Sequence, residues 1–261
     1  MASSNLTVAI TPAEPRAVPQ FKHTHDLGQT PVCLPSEVPD RPSYFVCKRL
    51  VDVILSILVL IAFLPLFAAI ALLIKLDSPG PILFRQDRVG AKCRSLGAKT
   101  VWIVQNFTIY KFRSMVANAD SSLHEAYIRD FVEGRISPQR APGGKFKLSN
   151  DPRVTRLGRV LRKFSLDELP QLLNVLEGDM SLVGPRPVPI YEVASYRNGH
   201  HRRLAALPGI TGLWQVRGRG VVSFEEMVRL DIDYIRNATF WFDLKILLLT
   251  IPAVLSQRGA E

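Results

Sequence analysis

Adjacent carboxylates at Asp167 and Glu168 are the first candidates for chemistry in this sequence. They lie between the basic pair Arg162 and Lys163 and a Pro-Arg-Pro loop that contains Arg186. Two neighbouring acids can supply a nucleophile and a metal ligand, while the cations neutralise phosphate oxygens that would otherwise repel an attacking carboxylate. The pattern therefore predicts a site for phosphate chemistry.

A purely structural interpretation of the same stretch is a capping box, in which Ser165 begins a helix and Glu168 satisfies its first N–H groups. Pro170 would then lie one turn inside that helix, where it lacks an N–H and clashes with the Leu166 carbonyl, at a cost of about 3 kcal/mol. A helix that begins near Pro170 fits better and leaves both carboxylates on the loop before it. The local pattern leaves catalysis and capping both open.

An apolar segment of 22 residues, Val53–Ile74, is interrupted only by Ser56 and Pro65. As a helix it would be about 33 Å long, enough to cross the hydrocarbon core of a bilayer. Pro65 divides it into parts of 12 and 9 residues, each short enough to enter the membrane and return. Basic residues flank both ends, so the positive-inside rule gives only a modest preference. We expect the segment to enter the bilayer, with a re-entrant and a crossing helix both open.

The net charge of +10 is located in the part of the chain after the apolar segment, because residues 78–261 carry 27 basic and 17 acidic side chains. This region could meet anionic lipid or phosphorylated substrates. Its cations are not interleaved with aromatic residues, which argues against nucleic acid. Cys33, Cys47 and Cys93 have no paired spacing, so a reducing, cytosol-facing body without a disulfide framework is expected.

Residue patterning predicts an α+β body around the carboxylates. The first 43 residues are rich in Pro, Ser and Thr and are predicted to form a disordered or loosely held tail. Strands are expected at Ile82–Arg85 and within Thr100–Phe112, paired as a hairpin. Helices are expected at 117–133, 153–162 and 224–237, and the apolar stretch 244–255 is too short to span a membrane.

Three smaller patterns have their own interpretations. Lys111 and Arg113 are two apart on the second strand, so their side chains should point the same way and could grip a phosphate, although a solvated strand edge is the local alternative. The three-residue spacing of arginines in 153–162 predicts an amphipathic basic helix for an anionic surface. Asp231 and Asp233 imitate a DxD metal motif, but on a helix they diverge by about 200°, so solvated helix charge is expected.

Together these pieces resemble the monotopic polyprenyl-phosphate phosphoglycosyl transferases, a family of bacterial sugar transferases. The match covers about residues 44–256. The motifs on which the resemblance rests are Lys48-Arg49 before the proline-broken apolar helix, SPGPILFRQDRVG (78–90), KFRSM (111–115), NDPRVTRLGRVLRKFSLDELPQLLNVLEGDMSLVGPRP (150–187) and PGITGLWQVRGR (208–219).

The resemblance implies that Asp167 attacks the sugar-linked phosphate of a UDP-sugar, releases UMP and carries the phosphosugar until polyprenyl (undecaprenyl) phosphate accepts it. Glu168 would hold Mg²⁺, and Asp243 would be a further acidic residue near the active site. The cations at the family's phosphate-binding positions would be Lys111, Arg162, Arg186 and Arg219, with Arg113 beside Lys111. Such a site can stabilise the charge of a transferred phosphoryl group.

The resemblance also implies an organisation: a tail (1–43), a re-entrant membrane helix with Pro65 at its bend (44–77) and a catalytic domain with an insertion at about 116–149 (78–261). The implied fold is α+β and monotopic, with amphipathic interfacial helices and a small β-hairpin sheet around an active site on the cytosolic face of the bacterial inner membrane. A homo-oligomer or contacts with other glycan-assembly enzymes are further expectations, whereas nucleic acid is not an expected partner.

Two other functions are consistent with the pattern. A ternary-complex enzyme would transfer the phosphosugar directly and would form no covalent intermediate. A non-catalytic membrane scaffold would use its basic face to hold acidic lipid and its insertion to recruit glycan-assembly enzymes.

Overall fold

A long β-hairpin lies at the centre of the fold in the computed structural model, which describes residues 32–36, 38, 42–96, 99–135, 151–197, 199–218 and 222–255. Strands β2 (Leu83–Leu96) and β3 (Lys99–Phe112) pair antiparallel along their whole length. The predicted hairpin is confirmed, but its first strand continues well past Arg85. This extension accounts for the length of the segment between Gly90 and Lys111, which forms the distal half of the hairpin.

The hairpin is part of a four-stranded sheet with the order β1-β3-β2-β5, and a separate parallel pair joins β4 to β6. These short strands are β1 (Val32–Pro35), β4 (Ser181–Val183), β5 (Val188–Pro189) and β6 (Gly209–Thr211). The helices are α1 (Pro42–Ala62), α2 (Leu64–Asp77), α3 (Ser122–Val132), α4 (Arg156–Lys163), α5 (Gln171–Glu177), α6 (Ile190–Val193), α7 (Leu213–Arg217), α8 (Phe224–Arg236) and α9 (Phe240–Leu255).

Strand β1 lies inside the segment predicted to be a loose tail (1–43), of which residues 1–31 lie outside the described part of the chain. It pairs with β3 over four residues, from Val32 opposite Val104 to Pro35 opposite Val101. Leu34 is buried in the main core. This end of the tail is therefore held because a strand partner and a buried leucine offset the cost of ordering it.

Helices α1 and α2 meet at an angle of 63°. The break is at Phe63, and Pro65 lies in the first turn of α2, where a missing N–H costs nothing. The bend predicted at Pro65 is thus displaced by two residues. Within the described residues no single helix is long and apolar enough to cross a membrane, whereas this bent pair is, judged by length and composition.

A buried ionic cluster holds α8 against the chain that follows α6. Arg203 is 1% exposed and donates through Nε and a terminal nitrogen to Asp231, at 2.9 and 2.6 Å. Its other terminal nitrogen donates to Glu192 at 3.1 Å and to the Tyr196 hydroxyl at 3.0 Å. The expectation that Asp231 is a solvated helix charge is wrong, because it faces the core side of α8, while Asp233 lies on a more exposed face.

Two predicted helices begin later than expected. Helix α3 begins at Ser122 because Asn118 has a positive φ of 59° and the Asp120 carboxylate accepts the Ser122 N–H at 2.9 Å. Helix α4 begins after Thr155, whose hydroxyl accepts the Gly158 N–H at 3.0 Å. These side chains compete with continued helix on their N-terminal sides.

Candidate active site

The two carboxylates lie on a single 3-10 turn, Leu166–Glu168, that leads into α5. Ser165 has a left-handed φ of 56° and its side chain makes no capping hydrogen bond, while Pro170 is the N-cap of α5. The capping box is therefore not formed, and a helix start near Pro170 is confirmed. Asp167 is 9% exposed, so its carboxylate lies mostly in the interior.

Lys111 and Arg186 bring positive charge to Glu168. The Lys111 ammonium lies 2.7 Å from Glu168 Oε1, and the Arg186 guanidinium lies 3.7 Å from the same oxygen. Burial lowers the pKa of Lys111, and Glu168 is the neighbour that most opposes this effect. The turn that carries the acids is thus linked to the end of β3 and to the loop between β4 and β5.

Asn174 fixes the end of β3 relative to the acids. Its side-chain oxygen accepts the Tyr110 N–H at 3.0 Å, and its amide donates to the Thr108 carbonyl at 2.8 Å. Asn174 is completely buried on α5, the helix that directly follows Glu168. Its amide acts as a strand partner to β3 and sets the distance between Lys111 and the carboxylate turn.

Arg162 approaches from α4 on the other side of the turn. Its Nε donates to the Ser114 hydroxyl at 2.9 Å. Burial lowers the pKa of Arg162, and Asp167 is the strongest of the charges that raise it again. Arg162 thus interacts most strongly with Asp167 and Lys111 with Glu168, although each cation also interacts with the other acid.

A narrow cleft opens between the hairpin, the carboxylate turn and the loop around Arg186. Its lining residues are Arg88, Ile109, Lys111, Glu168, Gln171, Arg186, Pro187, Gly209 and Ile210. Arg88 thus shares one surface with three residues predicted from the sequence, Lys111, Glu168 and Arg186. The resemblance included Arg88 in a motif but gave it no role. The sequence did contain a signal that could have identified Arg88, because this residue is a cation in a strand, directly before the apolar Val89 and Gly90.

Arg113 does not share this cleft. Strand β3 ends at Phe112, and the Arg113 guanidinium turns toward the end of α2, where it donates to the carbonyls of Ile74 at 3.2 Å, Ser78 at 2.6 Å and Pro79 at 2.6 Å. Lys111 and Arg113 do not grip one ligand together as predicted, because Lys111 pairs with Glu168 whereas Arg113 is held by carbonyls at the end of α2. Arg113 instead satisfies carbonyls that a helix end leaves unpaired.

Asp243 belongs to a buried cluster beneath α1 and not to the cleft lining. Its carboxylate lies 2.7 Å from the Lys48 ammonium, and it accepts from the hydroxyls of Tyr44 at 3.0 Å and Tyr234 at 2.8 Å. Lys48 also donates to the Val183 carbonyl at 2.9 Å. Asp243 thus anchors α1 to β4, which precedes the Arg186 loop, and its place near the reacting groups stays a prediction. Arg219 lies outside the described residues.

Comparison with known proteins shows the family. Residues 43–257 match the model of the bacterial sugar transferases. The chain belongs to this family. The resemblance inferred from the ordered motifs is confirmed.

Three relatives illustrate the match. The exopolysaccharide production protein ExoY of Sinorhizobium fredii is 41% identical over 220 residues, 84% of this chain and 90% of ExoY. A UDP-glucose:undecaprenyl-phosphate glucose-1-phosphate transferase of Caulobacter vibrioides is 41% identical over 249 residues, 91% of this chain and 82% of the relative. An undecaprenyl-phosphate galactose phosphotransferase of Salmonella typhimurium is 43% identical, with 84% of this chain and only 42% of the relative covered. The chain spans less than half the length of this and several other relatives.

The donor set of this sugar transferase suits a hard cation such as Mg²⁺ in one respect. Glu168 lines the cleft, and Asp167 precedes it on the same turn but is not part of the lining. Mg²⁺ is commonly held by one or two carboxylates together with substrate phosphates. In the described part of the chain, His, Cys, Asp and Glu side chains nowhere gather in threes to form a metal cage. A cation here would therefore depend on the phosphates of the substrate for its remaining ligands.

Proposed function

We propose that this chain transfers a sugar-1-phosphate from a UDP-sugar to polyprenyl phosphate through a phosphosugar carried on Asp167. The observation that supports this most directly is the placement of Asp167 and Glu168 on one turn, bordered by Arg162, Lys111 and Arg186. The name of the Caulobacter relative gives UDP-glucose as donor and undecaprenyl phosphate as acceptor, and the name of the Salmonella relative gives undecaprenyl phosphate and galactose.

The reaction would take place in two displacements. In the first, an Asp167 oxygen bonds to the sugar-linked phosphorus, and the bond from that phosphorus to the bridging oxygen breaks, so that UMP leaves with the electron pair. In the second, an oxygen of polyprenyl phosphate bonds to the same phosphorus and the bond to Asp167 breaks. The covalent intermediate lets a polar and a lipidic substrate use one site in turn.

The cations would serve these steps by charge. Arg162, next to Asp167, would bind the transferred phosphoryl group as negative charge shifts across it. Lys111 and Arg186 would screen the donor phosphates from Glu168. Glu168 would be the protein ligand of Mg²⁺, which supplies further neutralisation of the phosphate oxygens when bound.

The bent pair α1 and α2 would enter and leave the membrane on the cytosolic face. Strand β1 lies before the pair and β3 after it, yet the two are hydrogen-bonded in one sheet. A bilayer core cannot accommodate an open sheet that passes through it. The chain on both sides of the pair therefore belongs on one side of the membrane, which supports a re-entrant arrangement over a crossing one.

Substitution of the nucleophile tests the proposed function. The full chain is incubated in detergent with Mg²⁺ and UDP-glucose or UDP-galactose labelled in the sugar-linked phosphate, without lipid. The wild type should acquire label on Asp167, and D167N should lose both the label and roughly 10³-fold or more of its UMP release with lipid present. E177Q is the matched control, because Glu177 is exposed on the adjacent helix α5.

Each alternative has its own outcome. Full activity in D167N would sink the nucleophile assignment. UMP release that begins only when lipid is added, with no labelled enzyme, would favour direct transfer in a ternary complex. Absence of UMP release from the wild type would favour a scaffold, provided that the protein still associates with membranes.

A further inference from the structure

We propose that Arg88 binds the phosphate group that leaves as part of UMP and so forms, with Arg186, the leaving-group end of the cleft. This assignment rests on the proposed function and adds a residue and a direction to it. It follows from the partners of Arg88, from its position along the hairpin and from the geometry of phosphoryl transfer.

Among the described residues, no carboxylate forms an ion pair or a hydrogen bond with the buried guanidinium of Arg88. Arg88 is 9% exposed, and its guanidinium donates to two neutral oxygens, Gln86 Oε1 at 2.6 Å and the Pro187 carbonyl at 3.4 Å. Its Nε has no hydrogen-bond partner in the described part of the chain. A charge taken out of water is costly unless an opposite charge faces it.

Arg203 shows how this same chain stabilises a buried arginine for structure. It is surrounded by Asp231, Glu192 and the Tyr196 hydroxyl, with four hydrogen bonds to charged or polar oxygens. Arg88 has no such set, and its strongest charged neighbour is another cation, Arg186, which together with burial lowers the pKa of Arg88 to about 10. At neutral pH it is still charged. Glu192 and Glu168 act on it from a distance and raise its pKa, but neither forms an ion pair with it in the described part of the chain, so a bound anion would stabilise its charge further.

The position of Arg88 along the hairpin gives the cleft a direction. Arg88 is opposite Phe107 on β3, whereas Lys111 is four residues nearer the strand end, about 14 Å along the strand. On its other side Arg88 is opposite Pro189 of β5, just after the Arg186 loop. Arg162 and Ser114 lie at the opposite end, beyond the last residue of β3. The cations therefore form a row from Asp167 toward Arg88.

The geometry of phosphoryl transfer determines which phosphate of the UDP-sugar lies beside which cation of this row. The attacking and leaving oxygens are roughly in line, on opposite faces of the transferred phosphorus. With Asp167 on one face, the leaving phosphate must lie on the side away from Asp167, where Arg186 and Arg88 line the cleft. Guanidinium groups bind phosphate oxygens through charge-assisted hydrogen bonds, and the unpartnered Nε is a donor in this position.

The test separates the two substrates. UMP release by full-length wild type, R88Q and R88K is measured over ranges of UDP-glucose or UDP-galactose, polyprenyl phosphate and added UMP. For R88Q we expect the KM for the UDP-sugar and the inhibition constant for UMP to rise about 10- to 100-fold, the loss typical of a charge-assisted hydrogen bond. The KM for polyprenyl phosphate should not change, and R88K should lie between R88Q and wild type.

Arg85 provides the matched control. It lies on the same strand but is exposed, with its guanidinium 5.7 Å from the centre of the Tyr110 ring. R85Q should leave all three constants within about twofold of wild type. Calorimetric titration of UMP into each protein gives a readout that does not depend on turnover, and it should show weaker binding only for the Arg88 variants.

The outcomes distinguish this inference from the proposed function. An active R88Q with unchanged UMP inhibition and unchanged UMP binding would overturn the role of Arg88 alone. Equal increases in the KM of both substrates, with a lower unfolding temperature, would assign Arg88 to structure. If R88Q does not fold, R88K decides, because it keeps a charge but loses the planar fork: unaltered UMP binding there overturns the inference. A wild type that releases no UMP from these donors contradicts the proposed function itself.

Discussion

The ionisable groups in and beside the cleft carry unequal charge. Four cations face two carboxylates, a surplus of two positive charges among Arg88, Lys111, Arg162, Arg186, Asp167 and Glu168. Under the proposed function, the two negative charges on the diphosphate of a UDP-sugar would neutralise this surplus. Binding would therefore relieve the mutual repulsion of the cations, and part of the binding energy would lie in the phosphates and not in the sugar.

The partly buried side chain of His124 leads us to predict how the stability of the protein depends on pH. Its ring nitrogen Nδ1 lies 2.7 Å from the Tyr191 hydroxyl, and burial together with Arg88 lowers its pKa to about 4. In the unfolded chain the pKa is ordinary, near 6.5, so below that pH the unfolded state binds a proton that the folded state does not. Stability should consequently fall as the pH decreases from about 6.5 toward 4, by about 2 kcal/mol at pH 5.

The measurement compares thermal unfolding of wild type and H124Q in detergent at pH 7.5 and pH 5. Glutamine cannot titrate, so the unfolding temperature of H124Q relative to wild type should rise by several degrees when the pH is lowered. Any destabilisation from the lost Tyr191 contact is present at both pH values and cancels in this difference. The same difference at the two pH values would show that His124 does not titrate in this range.

The position of helix α4 depends on a close approach between Gly158 and the backbone of Ser114. A Cβ at Gly158 would overlap the backbone carbonyl of Ser114, the residue whose hydroxyl holds Arg162. We expect G158A to push α4 away from β3 and to lower UMP release by about 10-fold or more, even though alanine favours an isolated helix by roughly 1 kcal/mol. The outcome is read from the kcat and unfolding temperature of the full chain.

Arg159 offers the control on the same helix, because its side chain is exposed one residue away. R159A should keep both kcat and unfolding temperature near wild type in detergent. If G158A stabilises the protein and keeps its activity, the helix propensity has prevailed and the contact with Ser114 has no positioning role.

Elements with a strong local pattern were predictable, while their tertiary partners were not. The alternation in β3 and the proline before α5 are local signals, and both gave the correct element. The partners of Arg113 depended on the position of the end of α2, and the burial of Asp231 depended on Arg203, 28 residues away. Strand β1 has a partner about 70 residues distant. A single sequence carries no direct record of such contacts, so these predictions failed or were absent.

The same limit applies to the candidate site. The adjacent acids and nearby cations were visible because type and spacing alone indicate phosphate chemistry. Arg88 was missed because its importance comes from what surrounds it: a buried position, neutral partners and a neighbouring arginine. The resemblance placed Asp243 near the active site, but it gave no indication of the contacts with Lys48 and two tyrosines through which Asp243 anchors α1.

The pairing of strands β1 and β3 constrains how the whole protein can contact a membrane. The N-terminal part of α1 is anchored to the body, since Arg49 donates to the carbonyls of Val175 at 2.5 Å and Leu176 at 2.8 Å. Farther along, the bent pair exposes large apolar side chains such as Leu58, Ile61 and Leu72. Strands β1 and β3 enclose this pair in the sequence and are hydrogen-bonded to each other. In the proposed membrane placement, both ends of the pair would therefore stay on one side.

Two native cysteines test this arrangement directly. Cys33 lies before the pair on β1 and Cys93 lies after it on β2, and both are exposed. Variants that retain only one of them are treated with a membrane-impermeant maleimide in intact spheroplasts and after permeabilisation. A re-entrant pair with a cytosolic body predicts that each cysteine reacts only after permeabilisation, with the variant lacking all three cysteines as the unlabelled control. Reaction of Cys33 but not Cys93 in intact spheroplasts would mean that the pair crosses the bilayer, and the pairing of β1 with β3 could then not exist in the membrane-bound protein.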